Sequence, residues 1–297
     1  MSQSTLQRHA DSTMTSSRAA MTSEPANDQS QGPARSTHGA PAHAGHWFTL
    51  IAVGVMGGVL SGLFAVGGGI LMVPLLIWRA GMDQRRAAAT SLVAIVPTAL
   101  VSSVTYLLNG QVDLTAAVLV ALGAVAGTLI GTRLLRRIPV PKLRRMFVVF
   151  ILLIAARLLL VSPSRGDHAH LTVLVAVGFI GVGLVMGLAS GLFGIGGGII
   201  AVPLMISLFA VSDLVAKGTS LLVSVPTSVV GTLSNRRAGL VDVRAGLVVG
   251  LAAAAASVPA VTLSLHLSAR LSGQLFAGLL VLVAVQIGVK ASRERAS

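Results

Sequence analysis

The sequence contains no cysteine. That absence removes disulfide staples, thiolate nucleophiles, CxxC metal sites and iron–sulfur clusters together. Charge is almost as scarce: Asp, Glu, Lys and Arg make up 10% of the 297 residues, against about 25% in soluble domains. A chain so poor in charge and 54% hydrophobic cannot cover a globular surface for water. Aromatic residues are few, with two Trp and one Tyr, so there are no stacking platforms for nucleic-acid bases. The net charge of +13 therefore has another meaning. Most of the Lys and Arg stand in short clusters between long apolar runs, the pattern of cytoplasmic membrane loops.

Catalytic motifs are missing as well. There is no GxSG, GxGD or HExxH, so serine, aspartyl and zinc intramembrane hydrolysis have no residues to work with. The glycine-rich stretches lack the Lys of a phosphate loop, and 194–199 fails GxGxxG because its last residue is Ile199. No enzyme activity, cofactor or metal is expected. Without a nucleotide site, any transport draws on an ion gradient or on the substrate's own gradient.

Residues 1–46 are rich in Ser, Thr, Gln, Ala and His with no apolar run, and read as a disordered polar N-terminal tail. His43 and His46 there have HxxH spacing, read as a polar lead into a membrane helix rather than half a metal site. Apolar segments follow at 47–78, 87–108, 113–132, 146–162, 171–211, 215–233, 245–267 and 272–289, then a basic C-terminal tail at 291–297. The first and fifth segments are too long for one crossing and each contains a glycine triplet. About 32 residues at 1.5 Å rise would make a helix of about 48 Å, against a hydrocarbon core of about 30 Å. Each must bend, break or double back.

An internal repeat organises the rest. GVLSGLFAVGGGILMVPLLI at 58–77 aligns with GLASGLFGIGGGIIAVPLMI at 187–206 with thirteen identities in twenty positions, at an offset of 129 residues. The offset persists without a gap, pairing Thr90, Ser91, Pro97, Thr98 and Asp113 with Thr219, Ser220, Pro226, Thr227 and Asp242. Two membrane repeats, 47–165 and 171–290, follow from it.

Equivalent loops carry different charge. The 79–86 loop has Arg79, Arg85 and Arg86, and its counterpart has only Asp213 and Lys217. The 109–112 loop has no basic residue, and its counterpart has Arg236 and Arg237. The 133–145 stretch has Arg133, Arg136, Arg137, Lys142, Arg144 and Arg145, and its counterpart has Arg270 alone. Since basic loops stay cytoplasmic, the two copies are expected to be inverted. If each glycine-broken segment enters and returns, every basic cluster and both termini lie inside. The expected fold is an all-α integral membrane protein of two inverted-topology repeats, with glycine-broken segments meeting near the midplane.

Irregular backbone at membrane depth survives only where protein buries it or it lines a cavity. Gly67, Gly68, Gly69 and Gly196, Gly197, Gly198 mark such breaks, followed by Pro74 and Pro203. Freed backbone N–H groups and the positive end of the next helix would hold an anion without a buried cation. On the following helices, Thr90, Ser91 and Thr98, with Thr219, Ser220 and Thr227, share a face about seven residues apart, where their hydroxyls either face an oxyanion or bond their own helix. Gly123, Gly127 and Gly131, matched by Ala252, Ala256 and Ala260, read as a packing seam. Asp113 and Asp242 read as favourable charges at helix starts.

Through GLFGIGGGIIAVPL at 191–204, GLFAVGGGILMVPL at 62–75 and KGTSL at 217–221, the chain resembles the sulfite exporter TauE/SafE family over nearly all of 47–290. The resemblance implies eight to ten membrane segments and transport of sulfite, organosulfonates or related sulfur-containing anions. The first half departs from the fuller pattern at Ala65, Ala88 and Ala89, where the second has Gly194, Lys217 and Gly218. The expected function is secondary or facilitated transport of a small anion, with an anion channel or a non-transport membrane scaffold as alternatives. The expected partners are the anionic substrate and the lipid bilayer of the cell membrane. Homo-oligomerisation stays open, and no coupling ion is singled out.

Overall fold

The computed structural model describes residues 44–160, 172–278 and 281; most of the expected N-terminal tail, the 163–170 loop and the C-terminal tail lie outside them. The described chain is helical. In order, the helices are α1 (Ala44–Phe64), α2 (Gly69–Arg79), α3 (Gln84–Leu108), α4 (Leu114–Arg137), α5 (Val140–Leu160), α6 (Val173–Phe193), α7 (Gly198–Phe209), α8 (Asp213–Arg236) and α9 (Val243–His266), with α10 over 269–278. Six of them are long and apolar enough to cross a membrane. The last three residues of the expected polar lead, 44–46, already belong to α1.

Local chemistry explains where the helices start. Asp83, Asp113, Ser212 and Asp242 stand in extended conformation just before α3, α4, α8 and α9, and each side chain accepts from an amide three residues on. Such a cap satisfies one of the donors a helix start leaves open and contributes about 1 kcal/mol. The expected helix-start role of Asp113 and Asp242 is thereby made specific: both are side-chain caps.

The long glycine-broken segments double back. α1 ends at Phe64, the backbone passes through left-handed conformations at Ala65 (φ 55°), Gly67 (71°) and Gly68 (75°), and α2 returns along α1, with Met72 against Gly57 and Leu76 in a buried cluster with Leu50 and Val53. In the second half the turn runs through Gly194 (69°), Gly196 (75°) and Gly197 (81°). There α7 returns along α6, with its Phe209 ring 4.4 Å from that of Phe179. α2 and α7 have 11 and 12 residues, so each covers only about half of a bilayer core.

Packing register gives the helix directions. Gly54, Gly58 and Gly62 of α1 face Val249, Ala253 and Ser257 of α9 in ascending order, so the two run parallel. Gly123, Gly127 and Gly131 of α4 face Ile180, Leu184 and Leu188 of α6, again parallel. A β-carbon at any of these three α4 glycines would overlap a carbonyl oxygen of α6, so the seam read from sequence is a close helix contact of the small-residue kind. Thr90 and Pro97 of α3 meet Asp242 and Gly250 of α9, whereas Leu92 and Tyr106 of α3 meet Gly231 and Gly218 of α8 in reversed order. α1, α3 and α9 therefore point one way, and α4, α6 and α8 the other. Equivalent helices of the two repeats run in opposite directions, and their contacts come in reciprocal pairs. Asp113 N donates to Thr219 Oγ1 at 3.0 Å, and Asp242 N donates to Thr90 Oγ1 at 3.1 Å.

The same directions gather charge. The α2–α3, α4–α5 and α8–α9 connections, which carry the Arg79, Arg136, Lys142 and Arg236 clusters, all fall at the end of the bundle where α1 begins.

Candidate functional site

The two glycine breaks touch each other at the centre of the bundle. A β-carbon on Gly67 would lie 3.4 Å from Gly196 Cα, and one on Gly196 would lie 3.4 Å from Gly67 Cα, with Ile95 beside both. Gly67 and Gly196, equivalent at the 129-residue offset, are thus in mutual contact. The approach is closest two residues on, where a β-carbon on Gly69 would overlap the Gly194 carbonyl oxygen and one on Gly198 the Ala65 carbonyl oxygen. Only glycine fits there, for closeness rather than for dihedral angle. Ala65, at the position of Gly194, keeps a left-handed turn at a cost of about 1–2 kcal/mol. At Gly194 itself a β-carbon would overlap the Ala88 carbonyl oxygen. This is why the two halves differ there.

Carbonyls and amides of the breaks have different fates. Gly194 O accepts from Ser91 Oγ at 2.6 Å, and Gly196 O accepts from Ser224 Oγ at 2.6 Å. The first amides of α2 and α7, those of Gly69, Ile70, Gly198 and Ile199, donate to no acceptor among the described residues. The first helical bonds start at Leu71 and Met72, and at Ile200 and Ala201. Both breaks are fully buried. Unpaired buried N–H groups are rare in proteins, and here two sets converge at positive helix ends.

The hydroxyls expected to face an oxyanion are divided. Ser91 bonds the opposite break as described, and Ser220, which donates to Lys217 O at 2.9 Å, has its Oγ 3.3 Å from the place a Gly198 β-carbon would take. Thr90 and Thr219 accept from the amides at the starts of α9 and α4. They tie the two repeats together. Thr98 donates to Ala94 O at 2.8 Å and Thr227 to Val223 O at 3.1 Å, each bonding its own helix.

A side-chain cluster that the sequence reading treated as loop sits next to the second break. Lys217, in the second turn of α8, is 3% exposed. Its Nζ lies 2.7 Å from Asp213 Oδ2 and donates to Ser272 Oγ at 2.8 Å, with Ser264 Oγ at 3.5 Å. Tyr106 Oη is 3.1 Å from Ser264 Oγ. Asp213, Lys217 and Ser272 of this cluster line a cleft of about 40 Å³ together with Gly198, Ile199, Pro203, Phe64 and Phe276, the two Phe rings being stacked at 4.9 Å. α8 and α10 begin and α9 ends at this side, opposite to the basic clusters. At the 129-residue offset the first repeat has Gln84, Ala88, Leu135 and Leu143 for Asp213, Lys217, Ser264 and Ser272, and Leu135 and Leu143 are completely buried in an apolar cluster with Phe147. The signal available in sequence was a Lys and an Asp four residues apart opening a membrane helix, without counterparts in the other copy.

Comparison with known proteins agrees with this architecture. The family model described as sulfite exporter TauE/SafE matches residues 14–158 and 179–297. YunE of Bacillus subtilis, named a probable membrane transporter protein, is 29% identical over 217 residues, 65% of this chain and 79% of its own. A probable membrane transporter protein of Xylella fastidiosa is 32% identical over 196 residues, 65% of this chain and 75% of its own. Sulfite exporter TauE/SafE family protein 1 of Arabidopsis thaliana is 31% identical over 101 residues, 34% of this chain and 22% of its own. With family matches across both glycine-broken repeats, this chain belongs to the sulfite exporter TauE/SafE family.

Proposed function

We propose that this membrane transporter moves a small anion across the cell membrane as a secondary transporter or facilitator, its substrate being sulfite, an organosulfonate or a related sulfur-containing anion. The observation that carries the reading is the crossing of two broken helices whose first amides are unpaired. An anion drawn to that crossing meets backbone donors and two positive helix ends in a medium of low dielectric, where such interactions are strong. The glycines at 67–69 and 196–198 are the binding backbone in this reading. Ser91 and Ser220 border it, Thr90 and Thr219 tie the surrounding helices together, and Thr98 and Thr227 bond their own helices.

The opposed helix directions support repeats inverted across the membrane, with the basic end and both termini in the cytoplasm. The burial of both breaks favours a carrier over an open channel, since an anion reaches the crossing only after helices part. No chemical step is required; the driving force is an ion gradient or the gradient of the substrate itself. Reconstituted protein in liposomes should pass sulfite, sulfoacetate, thiosulfate or sulfate in a saturable manner. A folded preparation that passes none of them refutes the reading.

A further inference from the structure

The cleft beside the second glycine break holds a buried ion pair with no counterpart in the first repeat. A charge inside a membrane helix is costly and, where it faces a cavity, marks a ligand path. Lys217 is 3% exposed, and its pairing with Asp213 at 2.7 Å neutralises it. Asp213 is the more exposed partner, 14% against 4% for the side chains. It stands in the first turn of α8, the end of the bundle away from the basic loops, with its backbone held by the Ser212 cap. Its carboxylate is thus attached at the rim of the cleft while Lys217 lies deeper.

Beside the ion pair, Ser272 is the remaining polar side chain among the lining residues. Ser272 Oγ takes a hydrogen bond from Lys217 Nζ at 2.8 Å, which leaves its own O–H free to turn towards a ligand. The lining includes the start of α7, Gly198 and Ile199, whose amides find no protein acceptor among the described residues. The other walls are apolar: Phe64, Val202, Ile206 and Phe276. About 40 Å³ is room for three or four waters at roughly 10–15 Å³ each on the same measure, the footprint of a small oxyanion.

We propose that this cleft is the outward-facing substrate site, in which a singly charged oxyanion displaces the Asp213 carboxylate from Lys217. The inference rests on the transport reading above and names its site. In the empty site the carboxylate neutralises the lysine. When the substrate arrives, Asp213 swings to the rim and the anion takes its place against Lys217 Nζ, Ser272 Oγ and the α7 amides, so the charge of the pair is replaced one for one. A dianion would leave an unbalanced buried charge and is disfavoured. The matching position of the other repeat, with Ala88, Leu135 and Leu143, offers no cation, so binding is asymmetric between the two faces.

The test uses the full-length protein in detergent and in liposomes, with methanesulfonate as a fixed monoanion and sulfate as a dianion. Wild-type protein should bind methanesulfonate by calorimetry about tenfold or more tighter than sulfate, one unbalanced charge contributing well over 1 kcal/mol. Asp213→Asn removes the internal competitor and should tighten methanesulfonate binding about tenfold. The paired variant Lys217→Met with Asp213→Asn leaves no lone buried charge, so it folds, and it should lose binding. Sulfate binding tighter than methanesulfonate, weaker binding by Asp213→Asn, or wild-type affinity in the paired variant each overturns the proposal. Wild-type flux with undiminished flux in the paired variant removes this site and leaves the transport reading standing; absence of any wild-type flux removes the transport reading itself.

Discussion

Replacing Gly198 by Ala tests the crossing most directly. The added β-carbon would overlap the Ala65 carbonyl oxygen. Restoring an ordinary contact of about 3.5 Å requires the two breaks to part by more than about 1 Å. Overpacking of this kind costs about 1–3 kcal/mol in stability. The larger effect is functional, because the displaced backbone carries the unpaired amides of Gly198 and Ile199. Losing one hydrogen bond to a charged ligand costs about 1.5–3 kcal/mol, which is roughly tenfold to a hundredfold in affinity. Gly110→Ala, outside both breaks, is the control. Its β-carbon would meet nothing within 4 Å, so the cost is left-handed strain alone, about 1–2 kcal/mol, with no movement of the crossing. Both variants should melt earlier in detergent, but only Gly198→Ala should raise the KM of liposome uptake by about tenfold or more. Wild-type uptake by Gly198→Ala, or an equal loss in both variants, would refute the view that the amides at the crossing bind substrate.

Thr219→Val and Thr90→Val should each lower thermal stability by about 1 kcal/mol, because each leaves the half-buried amide of Asp113 or Asp242 without its acceptor; the KM for uptake should not move. Gly127→Val should fail to assemble, since its side chain would drive into the Leu184 carbonyl of the α4–α6 seam; yield and elution profile in size-exclusion chromatography report the outcome. The native chain lacks cysteine, so single substitutions read out sidedness cleanly. Gln111→Cys should react with an impermeant reagent added outside intact cells and Ala238→Cys should not, and labelling of both from one side would remove the inverted arrangement.

Much of the architecture was legible in one dimension because its causes are local or compositional. Membrane helices announce themselves by apolar length, capping residues such as Asp113 by their place before an apolar run, and the seam at Gly123, Gly127 and Gly131 by helical spacing. The repeat follows from thirteen identities in twenty positions. That the segments containing the triplets cannot be single straight helices follows from length against bilayer thickness. That they enter and return follows from the placement of the basic loops, whereas the contacts that hold α2 against α1, such as Met72 on Gly57, appear only in the structure. The roles of the hydroxyls were equally hidden. Thr90 and Thr219 stand next to Ser91 and Ser220 in the chain, yet their partners are amides 152 and 106 residues away.

Lys217 shows the division most sharply. In the sequence Lys217 falls in the charge-poor counterpart of the basic 79–86 loop, four residues after Asp213, and neither residue says whether the pair is buried. Its burial is decided by Ser264, Ser272 and Tyr106, which stand on three other helices and converge only when α9 and α10 close over the start of α8. The amino-acid sequence by itself determined the membrane class, the duplication, the charged end and the broken helices, because those depend on composition, periodicity and chain length. Which residues of the two breaks touch, and the buried ion pair beside them, belong to the tertiary structure alone, because contacts between residues so far apart along the chain leave no periodic trace in it.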